Sequence, residues 1–178
     1  VCSSDLPHPE RGVSILAADE DATPESDGSE MARWNPHNKV VWIAGASSGI
    51  GAALVGPLVE RGAKLAITAR REDRLRDVAR AAGGGPIVVP ADVSRRDEVH
   101  QAVRRIEQEL GPIDAAIFNA GINRPHSARN FDAKAVEQIV QTNLLSAVYG
   151  VEAVLPSMLE RRSGLLVGVA SVAAYRAL

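Results

Sequence analysis

The stretch Val40-Val41-Trp42-Ile43-Ala44-Gly45-Ala46-Ser47-Ser48-Gly49-Ile50-Gly51 decides the fold of this chain. Five apolar residues in a row, with no polar alternate, read as a strand buried on both faces. Three glycines then carry the chain from the strand into a helix. Gly45 permits the tight turn, Gly49 lets the backbone come close to a pyrophosphate, and Gly51 lets helix and strand pack closely. The first N–H groups of that helix have no partner within it, so they favour an anion at its start. Ser47, Ser48 and Ile50 fill the remaining places of the turn. Taken alone, the same residues also describe a glycine-rich strand-to-helix turn without a ligand.

Outward from this segment, apolar runs alternate with amphipathic stretches. The further runs are Leu65-Ala66-Ile67-Thr68, Ile87-Val88-Val89, Ala115-Ala116-Ile117-Phe118 and Leu165-Leu166-Val167-Gly168-Val169. Val99, Ala102, Val103, Ile106 and Leu110 share one helical stripe, with Ser94 as the expected N-cap and Gly111-Pro112 as the stop. A second stripe, Val136, Ile139, Val140, Leu144, Ala147, Val148, Val151, Leu155, Met158 and Leu159, predicts a long helix from about Asp132 to Arg161, bent near Asn143 and Pro156. Gly56-Pro57 is expected to interrupt the first helix, because proline lacks the N–H that helix bonding needs. Five alternations of strand and helix give an α/β class with a doubly wound parallel sheet and right-handed crossovers.

Composition narrows the function classes. The chain has 178 residues, of which 46% are apolar and only 3% aromatic, and its formal net charge is -2. The longest nearly unbroken apolar run, Leu165 to Ala174, is too short to span a bilayer. Cys2 is the single cysteine, so no intrachain disulfide forms, and His8, His37, His100 and His126 lack the spacing of metal ligands. These features predict no membrane, no metal and a cytoplasmic setting. No patch mixes aromatic and basic residues, which argues against nucleic acid.

The charge is uneven along the chain. Residues 1–30 hold eight acids and one base, net -7, against +5 for the remainder. Residues 1–38 therefore read as a disordered leader ahead of a folded unit over residues 39–178. Val1 to Leu6 back-translates to the tail of a sequencing adapter, which would put the natural start at Met31; a genuine acidic extension is the other reading.

Gly45-(three residues)-Gly49-Ile50-Gly51, Asp92-Val93 after the third strand, Asn119-Ala120-Gly121 after the fourth, Asn143 in the long helix and Ser171 after the fifth occur in one order and spacing. In this the chain resembles the short-chain dehydrogenase/reductase family, of the single-domain type, from Lys39 to the last residue. The resemblance implies a Rossmann-like sheet of strand order 3-2-1-4-5, and a homo-oligomeric full-length enzyme that interconverts an alcohol and a carbonyl on a small molecule. It places Gly45, Ser47, Ser48, Gly49, Ile50 and Gly51 at the cofactor phosphates and Asp92 and Val93 at the adenine. Asn119, Ala120 and Gly121 would line the ribose, Asn143 would hold a proton-relay water, and Ser171 would hydrogen-bond the substrate carbonyl. Arg70 and Arg71 follow the second strand, where an acidic residue would bind the ribose of NAD, so NADP is the expected cofactor, with NAD as the alternative.

The sequence departs from the family pattern in three ways. Ala44 replaces a usual threonine, and Phe118 replaces a frequent second asparagine. Third, the family's catalytic Tyr-x-x-x-Lys does not occur in these residues: Tyr149 has Ala153 at the matching place, and Tyr175 has nothing there. The chain thus reads as a C-terminally truncated, catalytically silent fragment, with a non-catalytic dinucleotide-binding or scaffold protein as the alternative. On the same reading, the fifth strand is left as an open apolar edge prone to aggregation.

Overall fold

In the computed structural model of the chain, the described residues are 13–16, 34–124 and 128–171. They form one parallel sheet with helices on both faces. In chain order the elements are β1 (Val13–Leu16), β2 (Val40–Ala44), α1 (Gly49–Glu60), β3 (Lys64–Thr68), α2 (Glu72–Ala81), β4 (Ile87–Val88), α3 (Arg96–Leu110), β5 (Ala115–Phe118), α4 (Ala133–Val140), a π-helical segment over Gln141–Leu145, α5 (Ser146–Glu160) and β6 (Gly164–Gly168). The sheet runs β1-β6-β5-β2-β3-β4. Leaving β1 aside, that is the expected 3-2-1-4-5.

Alternation along β2 explains the two-sided core. Trp42 packs with Val99, Val103, Ile106, Val154 and Met158, so this face lies under α3 and α5. Val41 and Ile43 point the other way and meet Val55, Leu75 and Ala79 of α1 and α2. Every residue of β2 is buried, as a central strand covered on both sides requires. The Trp42 indole N–H donates to Thr68 Oγ1 at 2.9 Å, which gives two buried polar groups of this strand pair a partner. The Phe118 ring stands edge-on to Trp42, with centroids 6.0 Å apart.

Four local expectations are corrected. Helix α1 runs through Pro57 without interruption to Glu60. Helix α3 starts at Arg96 with Arg95 as N-cap, and Ser94 instead donates N–H and hydroxyl to Asp92 Oδ1, at 3.0 and 2.7 Å. A short side chain bonding within its own loop is a common rival to capping. The long helix is present, with a π segment at Asn143, and α5 continues through Pro156. Of the expected stripe, Met158 is buried and Ala147, Val151 and Leu155 pack against the core, but the buried line is Ser146, Gly150, Val154 and Met158, and Val140, Leu144, Val148 and Leu159 are exposed. Close approach decides this: a Cβ on Gly150 would lie 2.2 Å from Phe118 Cε1, so the core-facing side of α5 must carry small residues there.

The fourth correction concerns the leader and the sheet edge. Val13–Leu16 pairs in parallel with β6, Val13 opposite Gly164 and Leu16 opposite Val167, so these four residues are a strand and the edge of β6 is covered. An uncovered strand offers a row of free N–H and C=O groups, and Val-Ser-Ile-Leu is a short apolar segment suited to pairing with it. Residues 1–6, Met31 and Tyr175 lie outside the described residues. Among the described residues no helix is long and apolar enough to cross a membrane.

On the surface, α3 and α5 are clasped by one acid. Glu152 accepts from Arg96 Nε at 2.7 Å and Nη2 at 2.5 Å, and lies 3.0 Å from His100 Nε2. The Arg96 hydrogen bond, followed by that of His100, holds the Glu152 carboxyl down at about 2.

Candidate functional site

Because all strands are parallel, the segments that follow them leave from one end of the sheet. The candidate residues sit in those segments: Gly45 after β2, Arg70 and Arg71 after β3, Asp92 and Val93 after β4, Asn119 to Gly121 after β5, and Ser171 after β6. The chain reverses its direction of travel across the sheet between β2 and β5, and such a switch point opens a crevice at the carboxyl ends of the strands.

The glycine turn is built by close backbone approach. Gly45 has φ +95, and its N–H donates to Thr68 O at 2.8 Å. A Cβ on Gly45 would fall 2.5 Å from Ala120 N, and one on Gly51 would fall 2.3 Å from Gly45 O and 2.6 Å from Asn119 Nδ2. Asn119 Nδ2 donates to Gly45 O at 2.8 Å, which ties the turn to the loop after β5. These two glycines therefore serve the protein's own packing. Gly49 differs: at φ +59 it has open space beyond it, with nothing within 4 Å of an added Cβ. Ser48 is the N-cap residue of α1 but makes no side-chain cap bond, and Ser48, Gly49 and Ile50 are exposed. The positive end of α1 thus presents N–H donors that no capping side chain occupies, the arrangement that suits a phosphate.

Next to this turn stands a cation. Arg71 Nη2 donates to Ser47 Oγ at 3.4 Å, which brings a guanidinium from the loop after β3 to the glycine turn. Arg70 and Arg71 are both exposed. No carboxylate precedes them after β3, and Glu72 opens α2, where it bonds Arg76.

The loop after β4 is held from within and from α3. Asp92 Oδ1 takes both donors of Ser94, and Asp92 N–H donates to Glu98 Oε2 at 2.7 Å. Val93 is buried against the α3 side of the core. Gln141 Nε2 donates to Ser94 O at 2.7 Å, so the π segment also touches this loop. On the other side, Asn143 Oδ1 accepts from Ile122 N–H at 2.8 Å and its Nδ2 donates to Ile122 O at 3.0 Å. A π turn inside a longer helix often marks a functional position. Gly121 faces the same side chain, its hypothetical Cβ 3.8 Å from Asn143. Ser171 is exposed beyond the end of β6.

Sequence reasoning missed Gln141, Glu98 and Ile122. Nothing in the local pattern sets Gln141 apart, since Gln138, Thr142 and Asn143 around it are polar as well. The other two act through contacts that no local pattern announces.

The arrangement fits a dinucleotide: an uncapped helix start, an adjacent guanidinium, and loops from three further strands at the same sheet end. The sequence pattern of the family described as short chain dehydrogenase matches residues 39–178. An uncharacterized oxidoreductase of Listeria innocua is 39% identical over 145 residues, covering 79% of this chain and 58% of its own length. One from Myxococcus xanthus is 37% identical over 139 residues, covering 76% and 55%. Levodione reductase has a similar structure, with a TM-score of 0.76, 31% identity, and coverage of 80% of this chain and 57% of that one. A short-chain dehydrogenase structure from Novosphingobium aromaticivorans gives a TM-score of 0.75 at 27% identity, over 81% and 56%. The chain spans under two thirds of the length of each. The glycine turn, the strand order and these likenesses agree, and the chain belongs to the short-chain dehydrogenase family.

Proposed function

We propose that this chain is the dinucleotide-binding part of an NADP(H)-dependent oxidoreductase that interconverts an alcohol and a carbonyl on a small molecule. The observation that carries the cofactor choice is the Arg71 guanidinium on Ser47 Oγ at the mouth of the glycine turn. A 2′-phosphate there gains a charge-assisted contact, whereas NAD offers only a hydroxyl. Arg70 adds to the positive field. The N–H groups at the head of α1, with Ser47 and Ser48, hold the pyrophosphate. Asp92 and Val93 border the adenine, and Asn119, Ala120 and Gly121 the ribose.

When bound, the nicotinamide supplies or accepts the hydride. The protein's own groups handle orientation and protons. Ser171 donates a hydrogen bond to the substrate oxygen, and Asn143 positions a water on the relay that feeds the proton. A serine hydroxyl is by itself too weak an acid to complete the transfer, so the acid belongs to a Tyr-x-x-x-Lys that these 178 residues do not contain. In this reading the chain binds cofactor and turns over nothing by itself, and the whole protein is a cytoplasmic homo-oligomer that does not bind nucleic acid. The second reading, a non-catalytic dinucleotide-binding module, rests on that same missing motif.

The test is to extend the chain with its own downstream sequence and assay NADPH-dependent reduction of simple ketones and aldehydes. The proposal expects turnover that Ser171→Ala lowers by about a hundredfold or more, the scale of a lost proton-transfer arrangement. An extended protein that binds NADPH yet reduces nothing would favour the binding module. Full activity of Ser171→Ala would remove that serine from its role.

A further inference from the structure

The π segment lies between the loop that follows β4 and the loop that follows β5, and it sends one side chain to each. Asn143 holds Ile122 on the β5 side. Gln141, the first residue of the segment, donates Nε2 to Ser94 O at 2.7 Å and lies 3.2 Å from the Tyr149 hydroxyl. Ser94 in turn gives its N–H and hydroxyl to Asp92 Oδ1. One part-buried amide therefore fixes the carbonyl end of the residue whose donors orient the Asp92 carboxylate.

We propose that Gln141 is a positioning residue for the adenine side of the cofactor, setting the Asp92-Val93-Ser94 loop from the helix that carries Asn143. This rests on the cofactor reading above. The chemistry is a matter of sign. The Ser94 carbonyl is an acceptor and needs a donor, which an amide supplies and a carboxylate cannot. Losing that donor leaves a half-buried carbonyl short of a partner and frees the loop to move away from the π segment. Glu98 still anchors Asp92 N–H, so the loop shifts at its Ser94 end rather than unfolding. Gln141 and Asn143 lie in the same π turn, so the same bond also ties the adenine loop to the segment that carries Asn143.

The experiment uses the full chain with adenosine 2′,5′-bisphosphate as the probe, titrated calorimetrically in the cold, well below the melting temperature. Gln141→Met removes the donor at similar length, and Gln141→Glu reverses its sign. Gln141→Met is expected to weaken binding by about three- to tenfold, the range of one hydrogen bond, and Gln141→Glu by at least as much. Because Gln141 acts through the loop, Asp92→Ala combined with Gln141→Met should bind no more weakly than the worse of the two single variants. A purely structural role would lower the melting temperature and leave cold affinity unchanged. In the wild-type chain the side-chain amide resonance of Gln141 should shift on titration, a reading that needs no variant to fold. Wild-type binding with affinity unchanged within twofold in Gln141→Met, additive losses in the double variant, or a static Gln141 resonance would each overturn the proposal. Absence of binding by the wild type would overturn the cofactor reading and this inference with it, and so is distinguishable from failure of the inference alone.

Discussion

The side chain of Asn143 holds Ile122 by both ends of its amide, accepting the backbone N–H at 2.8 Å and donating to the carbonyl at 3.0 Å. The pair pins the loop after β5 to the π segment, so a residue proposed to serve the reaction also shapes the site wall. Asn143→Ala is expected to destabilise the chain by about 1–2 kcal/mol, the sum of two modest net hydrogen bonds. Hydrogen exchange at the Ile122 amide should quicken at the same time. Unchanged denaturation midpoint and exchange would show that the bonds are not kept in solution.

Gly150 is the point at which α5 meets the sheet. Adding a methyl group there forces the Phe118 ring, itself set against Trp42, out of its place. Gly150→Ala should cost about 1–3 kcal/mol in spite of alanine's better helix propensity. Phe118→Leu in the same chain should recover part of the loss. Equal stability of Gly150→Ala and wild type in urea would mean that the helix stands farther from β5.

Much of this was legible in the sequence, for identifiable reasons. The apolar run at Val40–Ala44 and the glycines after it specify strand, turn and helix through backbone sterics alone, so the order of elements follows. The stop of α3 at Gly111 was equally clear, since glycine at φ +95 ends a helix at little cost. What escaped depends on partners distant in sequence. Whether Ser94 caps α3 or bonds Asp92 is a competition between two local bonds that composition does not decide. The apolar stripe found Met158 on the inward face of α5 but not the rest of it, because Gly150 and Ser146 face the sheet by virtue of their small size. Val13–Leu16 sits in an acidic stretch without hydrophobic periodicity, and only the edge of β6 gives it a reason to be a strand.

That strand leads to a prediction of its own. Removing residues 1–33 uncovers the outer edge of β6 and exposes a parallel apolar strand to other copies. The shortened chain should self-associate at concentrations where the full chain scatters less light. A shortened chain as monodisperse as the full one would mean that β1 contributes nothing to solubility.

Acid should loosen the α3–α5 clasp. Glu152 is held at about 2, below its ordinary value, so its contribution is fully present above the usual carboxylate range and is lost as pH falls toward 2. The groups are exposed, and the effect is accordingly small. Glu152→Gln should be slightly less stable than wild type above the usual carboxylate range, and the two should converge as pH falls toward 2. An identical acid profile in variant and wild type would remove Glu152 from the account.

The most direct test of the central claim is calorimetric titration of the chain with NADP and with NAD, repeated on Arg71→Ala. A charge-assisted contact of roughly 1.5–3 kcal/mol predicts that NADP binds about ten- to a hundredfold more tightly than NAD, and that Arg71→Ala erases most of the difference while leaving NAD affinity nearly unchanged. Equal affinity for the two dinucleotides in the wild-type chain, or an NADP preference that survives Arg71→Ala, would contradict it.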